Sequence, residues 1–219
     1  DLADIYLLKD EWWEATLLYS QVEKAEKETH TAHLAKLKNA KLSYYRGDFT
    51  LAKEHLDILK LATSREIAND AMDLSLLIQD NTGLDTSMVA MEQYAAIDLL
   101  VFQQRHQQAL HDYDKMLKDF KGHTLEDEIL LQKATINLKL GNFNSAIESL
   151  NLILKDYKDD IYADDANFMI AEIYEKNLND KEKAMEYYTK QLKDYSGSIF
   201  NVEARKRFRE LRGDFVGEQ

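Results

Sequence analysis

Residues 163–196 read ADDANFMIAEIYEKNLNDKEKAMEYYTKQLKDYS, and the spacing of their small and large side chains decides the fold. Ala171 is followed one turn later by Tyr174, and Ala184 is followed by Tyr188 and Gln191 at four and seven positions. That is the period of two helices, each with a small residue where the other can approach closely. The same offsets recur upstream as Ala134, Ala146, Leu150 and Ile153, as Ile97, Leu100, Ala109, Tyr113 and Met116, and as Ala40, Ala52, Leu56 and Leu59. They begin with Leu2, Ala3, Tyr6, Ala15, Tyr19 and Val22. The second-helix alanines 15, 52, 109, 146 and 184 stand 37, 57, 37 and 38 residues apart, so the period is about 37 and one interval is too long by about 20. One extra helix fills that interval. Glycine in Arg46-Gly47-Asp48-Phe49 and Leu140-Gly141-Asn142-Phe143 suits the left-handed turn between the two helices of a hairpin.

Composition agrees. The 219 residues contain no proline, where average usage would give about eleven, and only seven glycines. Sandwiches and barrels spend both residues on turns. With no cysteine there is no disulfide framework, thiolate nucleophile or Cys-ligated metal site, and the redox compartment stays open. Uninterrupted apolar runs such as 99–102 fall far short of the ~20 residues that span a bilayer. Forty acidic against twenty-eight basic side chains give a formal charge of −12, which disfavours nucleic acid as a general ligand.

These hairpins resemble the tetratricopeptide repeat. Small residues and aromatics match together over 2–22 and 163–196, while the other copies match through small residues and glycine turns. The family's tryptophan is absent, and Ser64, Lys158 and Ser196 stand at or near its closing proline. The segments 164–174 and 183–188 are similar to repeats of exported bacterial proteins, the outer-membrane assembly lipoprotein and the periplasmic cell-division coordinator. The resemblance implies an all-α solenoid of antiparallel hairpins, a right-handed superhelix of about twelve helices.

Helices are expected at 1–8, 11–26, 30–46, 49–62, 65–80, 87–103, 106–120, 124–140, 143–156, 161–177, 181–194 and 198–211. The polar stretch 80–87 reads as a loop with a bend near residue 84. We expect one domain over 1–219, irregular around 65–104, where helix 65–80 pairs with 87–103 or 87–103 pairs with 106–120. The first residue falls inside a repeat, so an upstream segment is expected, and it would hold any signal peptide or lipid anchor. At the other end a capping helix, 198–212, places Ile199, Val202, Phe208 and Leu211 on an apolar face and covers the rest with charge.

Catalytic signatures are missing: no phosphate-binding glycine loop, His-Glu-x-x-His or Gly-x-Ser-x-Gly occurs. No cofactor or metal is expected. His30 and His33 with Glu26 could meet a metal, but exposed histidines are the simpler reading, and His106 and His111 lie off a common face. Two Arg-Gly-Asp tripeptides, 46–48 and 212–214, sit at helix ends where glycine terminates and aspartate caps. Residues 204–212 carry five basic side chains, Arg205, Lys206, Arg207, Arg209 and Arg212, against one acid. They read either as a docking patch for an acidic partner, a phosphate-bearing headgroup or a second copy, or as a polar cap favoured by the helix C-terminus.

The resemblance also implies a concave groove lined by first helices. Carried onto this sequence, its positions are Asp4, Leu7, Leu8, Leu34, Leu37, Lys41, Tyr44 and Tyr45, then Leu131, Thr135, Leu138 and Lys139, then Asp165, Phe168, Glu172 and Glu175. Tyr44, Tyr45 and Phe168 have a second reading as packing between repeats. Leu37 and Lys41 replace the lysine and asparagine with which chaperone-binding members hold a terminal carboxylate. The expected function is a non-catalytic scaffold offering this groove to a protein or peptide, in a bacterial envelope assembly at the periplasm or the periplasmic face of the outer membrane. The alternatives are a cytoplasmic setting, self-association through groove and basic cap, and a helical arm of a larger enzyme or transport machine.

Overall fold

A computed structural model of the chain describes residues 2–61, 64–83 and 88–214. Among these are twelve α-helices and no strand, with helices packed on their chain neighbours within each of two units as a helical-repeat solenoid requires. They form two compact units, Asp1–Leu125 and Glu126–Gln219.

The first unit holds α1 (Leu2–Leu8), α2 (Trp12–Ala25), α3 (His30–Tyr45), α4 (Phe49–Leu59), α5 (Arg65–Thr82), α6 (Val89–Phe102) and α7 (His106–Asp119). The second holds α8 (Glu126–Lys139), α9 (Phe143–Asp156), α10 (Ala163–Glu172), α11 (Lys181–Asp194) and α12 (Asn201–Arg212). A π-helical segment, Ile173–Asn177, continues α10.

One backbone feature accounts for the period. In each hairpin the turn contains a left-handed residue, with φ of 62° at Asp10, 76° at Gly47, 60° at Gln104, 76° at Gly141 and 54° at Asn179. Five positions later comes the second-helix alanine, Ala15, Ala52, Ala109, Ala146 or Ala184, and all five are 0% exposed. The left-handed residue reverses the chain, and the alanine then meets the first helix at the distance only a methyl group permits. Side-chain caps start three helices: Thr29 accepts from Ala32 N at 3.2 Å, Asp48 from Leu51 N at 3.1 Å and Asp180 from Lys183 N at 3.1 Å.

In the first unit α1 pairs with α2, α3 with α4 and α6 with α7, and α3 also packs on α2. The extra helix is α5, which lies along α4 and touches α6 only lightly. That resolves the open pairing: 87–103 belongs with 106–120. α5 runs through Asp80, Asn81 and Thr82, where a loop is expected; residues 84–87, with the expected bend, lie outside the described residues, as do residues 1 and 62 at predicted helix ends.

α6 also turns back on the first helices. Leu99 joins Ala3, Leu7, Ala15, Tyr19 and Leu42 in one core cluster, and Gln103 Nε2 donates to Leu7 O at 3.1 Å and to Asp10 Oδ1 at 2.6 Å.

In the second unit α8 pairs with α9, α10 lies on α9 and pairs with α11, and α12 closes on α11. Buried Asn167 donates to Tyr187 O at 3.0 Å and to Gln191 Oε1 at 2.7 Å, and Phe168 stacks on Phe200 at 4.7 Å. The capping helix is present, but its apolar residues do not share a face. Ala204, Phe208 and Leu211 pack inward, whereas Val202, on the opposite side of a 3.6-residue helix, is 78% exposed and Ile199, in the turn before α12, is 85% exposed.

Candidate functional site

The first unit gathers part of the expected groove into a cleft. α1 supplies Leu2 and Asp4, α2 supplies Tyr19 and Val22, and α3 supplies Leu34, Lys38 and Lys41. Two adjoining hollows share Tyr19, Leu34 and Lys38: one of about 330 Å³ walled by Leu2, Leu18, Val22 and Ala35, the other of about 180 Å³ walled by Leu37, Tyr45, Asp70 and Phe102.

A polar bridge stands between the hollows. Asp4 accepts from Tyr19 Oη at 2.5 Å and from Lys38 Nζ at 2.7 and 2.9 Å. Burial works against the charged form of Asp4, but the Lys38 and Tyr19 hydrogen bonds and the Lys38 charge outweigh it and hold its pKa below the ordinary value. Lys41 Nζ meets Asp70 Oδ2 at 3.2 Å on the rim. The arrangement offers two apolar recesses on either side of a fixed charge pair, and it presents Leu2 and Leu34 to solvent.

Of the other expected groove residues, Leu7 and Leu37 line the second hollow but are 2% and 3% exposed, and Tyr44 is 2% exposed, so all three also serve packing. Tyr44 donates to Asp98 Oδ2 at 2.7 Å while Tyr113 donates to Asp98 Oδ1 at 2.8 Å, which ties α6 to α3 and to α7. Burial pushes the Asp98 carboxyl up to about 6 against the lowering pull of Tyr44, Tyr113 and Lys41. Tyr45 is half-buried on the cleft wall, 6.2 Å from Phe102, and Leu8 is exposed at the end of α1.

In the second unit Leu131, Thr135 and Leu138 are half-buried, and Thr135 donates back to Leu131 O at 3.0 Å. Phe168 is core. Glu172 is held by Lys176, and Glu175 accepts from Tyr188 Oη at 2.5 Å and meets Arg207 at 3.6 Å, so both carboxylates have internal partners. Half-buried Asp165 has its carboxyl pushed up to about 6 by burial and by neighbouring Asp164. A hollow of this unit lies instead between α11 and α12, around Met185, Thr189 and Phe208.

The basic cap is divided. Arg207 lies among Glu203, Glu210 and Glu175, and Arg212 binds Asp214, whereas Arg205, Lys206 and Arg209 are exposed. In the second Arg-Gly-Asp tripeptide Gly213 takes φ of 89° and ends α12, and Asp214 holds the arginine two residues before it. Among the described residues no three His, Asp or Glu side chains converge as metal ligands, and no helix is long and apolar enough to cross a membrane.

Tyr19, Lys38, Asp70 and Phe102 are cleft residues that the groove positions miss. Lys38 was within reach, one turn beyond Leu34 on α3, but Phe102 arrives only because α6 folds back.

Residues 69–191, more than half of the chain, match the sequence model described as Tetratricopeptide repeat protein 21 ARM repeat. No curated protein matches the chain. The matched span runs from within α5 to within α11, so it bears on the repeat architecture more than on the α1–α3 cleft.

Proposed function

Since the chain belongs to the tetratricopeptide repeat protein 21 ARM repeat family, a family of helical-repeat proteins, we propose that it is a non-catalytic scaffold whose α1–α3 cleft holds a segment of a partner protein. The observation that carries this reading is the pair of adjoining hollows beside the Asp4–Lys38 bridge. Apolar side chains of a bound segment fill the two recesses, and the ion pair between them fixes where the segment's polar backbone can sit.

A photoreactive amino acid at Leu34 tests the proposal, with the same group at Ile161, 74% exposed in the other unit, as the control. Crosslinks to one defined partner from position 34, suppressed by Leu2→Asp with helicity unchanged, are the expected result. Equal crosslinking from both positions overturns it. The finer setting, a bacterial envelope assembly, rests on the likeness of 164–188 to exported repeats alone. Fractionation of the native cells tests it, and recovery in the cytosol removes it.

A further inference from the structure

α12 sorts its cations onto two faces. Arg207 turns inward, with Nε 2.8 Å from Glu203 and Nη1 3.5 Å from Glu210 and 3.6 Å from Glu175. Arg212 lies 5.4 Å from the Phe208 ring and holds Asp214 through Nε at 2.8 Å. Val202, Arg205, Lys206 and Arg209 stand at i, i+3, i+4 and i+7 and form one exposed stripe on the face opposite Arg207, with Arg212 and its partner Asp214 at the stripe's foot. Among the described residues no carboxylate lies within ion-pair distance of these three cations. Asp214, whose pKa the Arg209 charge helps to lower, is already bound to Arg212. At the head of the stripe Val202 and, in the turn that precedes α12, Ile199 are almost bare.

We propose that the outer face of α12 docks an acidic segment of a partner protein. Carboxylates one turn apart on that segment meet Arg205, Lys206 and Arg209, and an apolar side chain covers Val202 and Ile199. Charge complementarity names the occupant, because three cations in line, without an ion-pair partner among the described residues, form a local positive field within a chain of −12 that an acidic surface completes. Residue choice supports it. Four of the chain's seven arginines lie between 205 and 212, although any polar side chain would serve a cap, and guanidinium forks a carboxylate where ammonium cannot. A membrane fits less well: polybasic membrane sites gather about four to eight cations, and here Glu203, Glu210 and Asp214 flank only three. The inference does not depend on the α1–α3 cleft.

The test uses the full chain and a labelled helix-forming peptide with glutamates at i, i+3, i+4 and i+7 and a leucine one turn ahead, beside its glutamine counterpart. At low salt the glutamate peptide should bind at least about tenfold more tightly than the glutamine peptide, and the preference should shrink as salt is raised. The combined Arg205→Glu, Lys206→Glu and Arg209→Glu variant should abolish the preference with the circular dichroism spectrum unchanged. If that variant unfolds, Arg205→Gln with Arg209→Gln carries the same test. Equal affinity for the two peptides overturns the proposal, as does a preference that survives the substitutions. Binding to phosphatidylserine vesicles rather than peptide, lost in the same variant, replaces it with a membrane site. A dimer seen by sedimentation and abolished by the variant, without peptide binding, replaces it with self-association.

Discussion

Asp98 stands where α3, α6 and α7 meet, and each of its carboxylate oxygens accepts one tyrosine hydroxyl. Its folded-state pKa of about 6 lies above the unfolded value, so the native state takes up this proton first as pH falls. Stability from this group therefore rises as pH falls from about 6 towards 4 and is lost again as pH rises through 6. Asp98→Asn keeps the shape without the charge. Its amide nitrogen cannot accept, so one tyrosine hydroxyl must turn to accept from it, and the stability profile between pH 4 and 6 should flatten. Urea melts across that range check this, and an unchanged slope would move the proton uptake to another group such as Asp165. The raised pKa was not legible in the sequence, where Asp98 merely interrupts an apolar run. Its partner Tyr113 was visible as a repeat position, but Tyr44 reaches Asp98 only through tertiary packing across 54 residues. The alanines were legible because each must be small wherever two backbones cross, whatever surrounds them.

Among the helices, the one-residue irregularity of the period has a physical location. Seven residues separate Ala3, Ala40, Ile97 and Ala134 from their left-handed turn residues, but eight separate Ala171 from Asn179. The π-helical segment Ile173–Asn177 takes up the surplus residue: Leu178 N donates to Ile173 O at 3.0 Å, and Asp180 N reaches Tyr174 O at 2.8 Å across six residues, where the other turns span five. Deleting exposed Asn177 should convert this segment to α-helix and change stability by less than about 1 kcal/mol, since the same carbonyls then receive α-type bonds. Deleting exposed Lys139 from α8, which has no such reserve, should cost well over about 2 kcal/mol, because it rotates the turn and Ala146 out of register. Thermal melts of the two deletions decide the matter, and equal losses would show that the π segment is not an inserted residue. Helix positions were legible at nearly every element, since amphipathic periodicity is local. The return of α6 onto α1 and α3 was not, because Leu99 and Gln103 find Leu7 and Asp10 at long range and the 37-residue spacing carries no signal for it.

For the molecule as a whole, the charge count was legible at once, but its arrangement was only half legible. The five cations of 204–212 are plain in the sequence; among the described residues Arg207 and Arg212 find carboxylates while Arg205, Lys206 and Arg209 do not, and of those contacts only Arg207–Glu175 depends on how α12 sits against the π segment. A formal charge of −12 brings a net self-repulsion that opposes the compact state. Salt screens it, since the screening length shrinks to about 10 Å at 0.1 M. The melting temperature should therefore rise by a few degrees between low salt and about 0.3 M sodium chloride, even though the exposed ion pairs weaken, because such pairs contribute at most about 1 kcal/mol each. Reversing Arg205, Lys206 and Arg209 to glutamate makes the chain six charges more negative, so the same titration should be steeper in that variant. A melting temperature that falls with salt in both proteins would mean that pairs such as Asp4–Lys38 and Arg207–Glu203 outweigh the net repulsion, and the acidic surface would then be neutral for folding.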